Sequence, residues 1–150
     1  MRLSPGIMRL EGAIRQVSNG SWGVLDVAGV PSVEITVAGR KSGKPRTTSL
    51  LYVPDGDRML LVGSNWGRRK HPVWSTNLKE ADTVQIREGA AKRTASVRLL
   101  TGAEREQAWE TAVEFWPGYK MEFERSGGRE FRIFALTPQA AQAPINRCAR

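Results

Sequence analysis

The chain has 150 residues, 40% hydrophobic and 25% charged, a length and balance that suit one globular domain with a single core and exclude a disordered chain. No apolar run approaches the length of a bilayer span, and a net charge of +8 calls for an anionic partner. One histidine and one cysteine exclude a His/Cys metal cluster and an internal disulfide, so no metal site is expected and the default compartment is the cytoplasm.

Residues 1–20 read as an N-terminal helix or extension, because Ile7, Leu10, Ile14 and Val17 recur at helical spacing beside Arg2, Arg9 and Arg15. Such a segment either packs on the domain or touches a membrane surface, which adds membrane association to the cytoplasmic default. It lacks the continuous apolar core and cleavage site of a signal peptide. The main domain is expected over 21–138, opening with the turn-rich connection "SNGSWGVLDVAGVPS".

Strands are predicted at 33–38 ("VEITVA") and 47–53 ("TTSLLYV"), flanking a basic loop. The turn "PDGD" then leads into 58–64, which is read as completing a hairpin with 47–53. After a loop, Pro72 is placed at the first position of a short helix, with His71 capping its start. The runs "TVQIRE" and "AKRTASVRLL" form a second hairpin around Gly89 and Ala90. Thr101 and Glu104 have capping-box spacing, and Trp109, Ala112, Val113 and Trp116 line one face of the helix that follows. A last strand is expected at 129–138 and a disordered tail at 139–150. Hairpins without βαβ alternation point to an antiparallel sheet or small barrel with peripheral helices, an α+β, mainly antiparallel fold.

The charge is local. From Gly39 to Lys70 the bases Arg40, Lys41, Lys44, Arg46, Arg58, Arg68, Arg69 and Lys70 face only Asp55 and Asp57, so this stretch carries most of the excess. Within it "GRKSGKPR" combines glycines, which let backbone approach an anion, with arginines that fork onto phosphate or carboxylate. It is no nucleotide-triphosphate loop: its second glycine is one position early, and a strand follows where a helix is needed. Nucleic acid is also disfavoured, because the patch is compact, Glu104, Glu106, Glu110 and Glu114 load the capped helix, and no nucleic-acid motif is present. A small polyanion fits better.

The successive segments "AGRKSGKPRTTSLLYVPDGDRMLLVGSNWG", "HPVWSTNL" and "WPGYKMEFERSGGREFRIFALTP" resemble, over about residues 33–138, the deazaflavin-dependent nitroreductase family, whose members bind coenzyme F420. The resemblance implies a split β-barrel of the type that binds flavin mononucleotide (FMN). It also implies that Arg40, Lys41 and Arg46 contact the coenzyme's phosphate and oligoglutamate tail, with Ser42 and Gly43 donating from the same loop. Leu50, Leu51 and the backbone of Val62, Ser64, Asn65, Trp66 and Gly67 would form the ring slot, closed by Trp74 and Asn77. Trp74 is open to a second reading as plain core. On the substrate side Tyr119 would donate from its hydroxyl as the catalytic residue, walled by Trp116 and Phe123; all three are equally readable as helix-to-barrel packing. The sequence departs from the family's pattern at Ser49, at Ser75-Thr76, and at Trp66, where glycine is common.

The activity so implied is hydride transfer from reduced F420 to an electron-poor small molecule, a nitroarene, quinone or activated alkene. The alternatives are an FMN-dependent oxidoreductase on the same barrel, a non-catalytic deazaflavin carrier, and a polyanion-binding module. A monomer and a homodimer are both compatible with the sequence.

Overall fold

A computed structural model of the chain describes residues 30–140. The expected N-terminal helix and all but the first two residues of the expected tail lie outside them. The strands are β1 (Ser32–Ala38), β2 (Pro45–Leu51), β3 (Val53–Asp55), β4 (Arg58–Val62), β5 (Thr83–Glu88), β6 (Ala91–Leu99) and β7 (Ile133–Pro138). The helices are α1 (Val73–Leu78), α2 (Gly102–Phe115) and α3 (Gly118–Arg125), with a short 3-10 turn at Asn65–Gly67.

All strands join one sheet in the order β2-β1-β5-β6-β7-β4-β3, and every pairing is antiparallel. Its two edges, β2 and β3, are separated in sequence only by Tyr52. A single extended segment therefore leaves one edge and joins the other, curling the sheet into the expected split barrel. Tyr52 marks the bend: its amide donates to the Pro31 carbonyl at 3.1 Å and its hydroxyl to Glu88 Oε2 at 3.2 Å.

This corrects the expected hairpin. Residues 47–51 pair with β1, in the register Thr48 to Ile35 and Leu50 to Val33, and only Val53–Asp55 pairs with β4. The β5–β6 hairpin forms as expected, closing from Glu88 to Ala91.

Strand alternation sorts the apolar residues into two cores. Val33, Ile35 and Val37 of β1 point inward with Met59, Leu61, Phe134 and Leu136, filling the barrel. Leu60, Val62, Ile133 and Ala135, the alternate residues of β4 and β7, face outward and are covered by Ala108 and Ala112 of α2 together with Phe131. Each fully buried Leu, Ile or Phe contributes roughly 1.5–3 kcal/mol by leaving water, so β4 and β7, buried on both faces, anchor the molecule.

Two helix starts differ from expectation. Thr101 precedes α2 in extended conformation but makes no side-chain cap, and Glu104, the other half of the expected box, is held instead by Arg98 on β6 at 2.5 and 3.2 Å. Pro72 sits one residue before α1 rather than at its first position, and His71 does not cap it. The Pro72 carbonyl instead accepts from the Ser75 hydroxyl at 2.8 Å and the Ser75 amide at 3.1 Å. Among the described residues no helix is long and apolar enough to cross a membrane.

Candidate functional site

A cleft of about 1050 Å³ opens between β2, the loop after β4, α1 and the α2–α3 joint. Because β2 is an edge strand it leaves one flank open, and the curl of the sheet brings the loop after β4 to face it. Of the residues singled out in the sequence, Arg46, Leu50, Leu51, Val62, Ser64, Asn65, Trp66, Trp74, Asn77, Trp116 and Tyr119 line this cleft.

The remaining singled-out residues lie elsewhere. Arg40 lines a neighbouring hollow of about 310 Å³, and Lys41, Ser42 and Gly43 line neither space. Their loop is closed on itself: the Gly43 amide donates to the Gly39 carbonyl at 2.8 Å, and the Lys44 amide donates to the Ser42 hydroxyl at 3.2 Å. The loop is tied to α1 through the Arg40 amide, which donates to Asn77 Oδ1 at 3.1 Å. Asn77 thus links the two spaces. Phe123 packs instead against Trp109 and Phe131, at ring separations of 5.9 Å each. Gly67 is buried against α3, where an added Cβ would lie 2.7 Å from the Glu122 carbonyl oxygen.

The cleft wall is chemically divided. Half-buried Leu50, Leu51, Trp74 and Trp116 with buried Val62 offer a flat apolar surface, while Arg46, Arg68, Arg69, Lys70 and Arg125 reach it from exposed positions. Glu122 is the acidic residue among its described lining. A planar ring against the apolar wall and an anionic chain among the cations would both be accommodated.

Arg129 organises the loop that carries most of these cations. Its guanidinium donates to the carbonyls of Gly63 at 3.0 Å, Ser64 at 2.8 Å and Arg68 at 3.1 Å, and stacks 4.6 Å from the Phe131 ring centroid. It also contacts His71 Nδ1 at 3.0 Å. Arg132 similarly donates to the hydroxyls of Ser75 and Thr76, at 3.2 and 3.0 Å, fixing α1. Neither arginine is visible as a site residue in the sequence. Arg68, Arg69 and Lys70, which line the cleft, are not singled out as site residues either, although the basic stretch that contains them is the signal that could have found them.

Tyr119 is buried, at 5% exposure, on the first turn of α3, and its ring packs 6.5 Å from Trp109. Burial, aided by the negative charge of Glu122, pushes its hydroxyl well above the usual tyrosine range. The group therefore keeps its proton at any ordinary pH.

Residues 7–138 match the profile of the family described as F420H(2)-dependent quinone reductase. The chain belongs to that family. Its coenzyme is F420 by that description, rather than FMN. An F420H(2)-dependent quinone reductase of Mycobacterium tuberculosis strain H37Rv is 40% identical over 83 residues, 55% of this chain and 56% of the relative. The chain thus matches a little over half the length of that relative. A solved F420-H2 dependent reductase is 34% identical with a TM-score of 0.62, covering 71% of this chain and 93% of the other. A second solved structure, described as a domain-swapped dimer, is 32% identical with a TM-score of 0.64, covering 89% of this chain and 99% of the other.

Proposed function

We propose that this family member is an F420H2-dependent quinone reductase whose coenzyme and acceptor share the cleft between β2 and α3. The observation that carries the reading is the divided wall, with Arg46, Arg68, Arg69 and Lys70 beside Leu50, Leu51 and Trp74. Arg46 and the 68–70 run would hold the anionic tail, where a guanidinium fork matches phosphate and carboxylate. Leu50, Leu51 and Trp74 would set the plane of the ring and keep water from it. Arg40 and Lys41, set back from the cleft, would act on the tail beyond its mouth, and Ser42 keeps its hydroxyl proton for the same ligand.

The coenzyme supplies a hydride. A quinone that accepts one needs a single further proton to become a hydroquinone, because the hydride itself brings the other hydrogen. The Tyr119 hydroxyl, protonated and on a residue of the cleft lining, would donate a hydrogen bond to the oxygen on which charge builds. Trp116 would confine the acceptor ring on the same side. Nitroarenes and activated alkenes are acceptors of the same electronic kind and are carried as secondary substrates. We carry over a homodimer as the assembly from the domain-swapped relative, to be checked by sedimentation.

The reading is tested by mixing the chain with F420H2 and a naphthoquinone and following the return of the oxidised coenzyme's absorbance. Oxidation at the protein-free rate, with the coenzyme bound, would leave a carrier and not an enzyme.

A further inference from the structure

Asn65 and Trp66 both have left-handed backbone, with φ of 49° and 59°, and Gly67 follows at 78°. Side chains with a Cβ avoid this region, asparagine least and bulky aromatics strongly, whereas glycine enters it freely. Asn65 has a local reason to be there, since its side-chain amide donates to the Lys70 carbonyl at 2.9 Å. Trp66 has none of its own.

The surroundings hold it there. Arg129 grips the carbonyls of Ser64 and Arg68 on either side of the turn, at 2.8 and 3.1 Å. Arg125 reaches the Trp66 carbonyl itself at 3.4 Å. Gly67 lies so close to α3 that the turn cannot shift toward it. A strained conformation fixed from several sides at the edge of a ligand cleft points to a functional constraint on that position. The side chain so presented is large, flat and half-buried, and it lines the cleft together with Trp116.

We propose that Trp66 is the residue that selects the acceptor by shape. Its indole narrows the cleft beside Trp116 so that slim, planar two-electron acceptors enter and acceptors with bulk on the ring edge do not. The inference rests on the quinone reductase reading and adds to it a specificity-determining residue, with Arg129 as the positioning residue behind it. The competing role is packing, because Trp66, Trp116 and Val30 share an apolar cluster. Packing alone predicts lost stability without altered selectivity.

The test uses the full chain loaded with F420H2, in the unmodified form and as Trp66→Gly and Trp66→Asn. Glycine relieves the left-handed backbone, and asparagine tolerates it should the glycine variant fold poorly. The acceptors are unsubstituted benzoquinone and a di-tert-butyl benzoquinone, and the quantity read is the ratio of kcat/KM, bulky over slim. The ratio is expected to rise about tenfold or more, the scale on which steric pockets discriminate. Calorimetric binding of the two quinones to the chain holding oxidised coenzyme should change in the same sense. A ratio within about threefold of the unmodified chain, in a folded variant, overturns the proposal. If the unmodified chain reduces neither quinone, the reductase reading fails instead, and the calorimetric ratio still decides the role of Trp66.

Discussion

Arg129 donates to His71 Nδ1 across 3.0 Å, and since a guanidinium has no acceptor, the neutral imidazole must carry its own proton on Nε2. Burial holds the His71 pKa below the usual histidine value, and the charges of Arg132, Arg129 and Lys79 push in the same direction. A third positive charge in this corner would repel two arginines that fix α1 and the loop after β4.

The sign of the pH effect follows. With a lowered folded pKa, the unfolded chain binds a proton that the folded chain refuses. His71 therefore supports stability fully above the ordinary histidine pKa, and that support is lost as pH falls through the folded value. Urea unfolding from about pH 8 to about pH 5 should show falling stability, and His71→Asn should flatten the curve in that window. His71 is the one histidine of the chain, so its titration is a single imidazole resonance. A midpoint at or above the usual value contradicts the Arg129 contact.

Gly67 and Gly56 provide a paired test of how tightly the loop meets α3. Both have positive φ, at 78° and 60°, so alanine meets the same backbone penalty of about 1–2 kcal/mol at each. At Gly56 nothing lies within 4 Å of the added Cβ, whereas at Gly67 the Glu122 carbonyl oxygen is 2.7 Å away. Gly67→Ala should therefore cost roughly 1–3 kcal/mol more than Gly56→Ala, the usual penalty of overpacking. Equal losses in urea unfolding would mean that the loop and α3 are not in contact.

The pattern of what the sequence revealed has physical causes. Alternation exposes β1, whose Val33, Ile35 and Val37 fall on one face, while β4 and β7 announce themselves as continuous apolar runs buried on both faces, and the Gly89-Ala90 turn declares the second hairpin. The bend at Tyr52 leaves no such mark. "LLYV" is continuously apolar across it, and the change of partner from β1 to β4 is a non-local event. Glu104 likewise takes its partner, Arg98, from another element in place of the expected capping box. In the site, Arg46, Leu50, Leu51 and Trp74 are legible through the resemblance of their segments to a known family, and the residues alone mark only the basic character of the stretch around Arg46. Arg129 is not, since its partners are carbonyls more than sixty residues earlier in the chain, at Gly63, Ser64 and Arg68.

Arg46 stands at the start of β2, exposed and on the cleft lining. If it grips an anionic tail, Arg46→Ala should weaken F420 binding about tenfold at low salt, roughly 1.4 kcal/mol. Added salt should weaken the unmodified chain more than the variant, because screening removes an attraction the variant has already lost. Lys92→Ala, which removes a cation of β6 outside the cleft lining, serves as the control for net charge. Calorimetry across a salt series checks both. An equal salt slope in Arg46→Ala and the unmodified chain would place the tail elsewhere.

Tyr119→Phe separates a donor from a packing residue. The ring stays, with its contact to Trp109 and its place in the core beneath α2, so stability should change little. The hydroxyl goes, and if it donates to the acceptor oxygen as reduction proceeds, kcat should fall about a hundredfold. KM should stay close to the unmodified value, since the bond strengthens only as charge develops. Because burial keeps the hydroxyl protonated far above neutrality, the unmodified chain should show no loss of kcat from Tyr119 ionisation up to about pH 10, the usual tyrosine value. Steady-state kinetics of quinone reduction decide the matter: a Tyr119→Phe chain with unchanged kcat leaves the residue as part of the core alone.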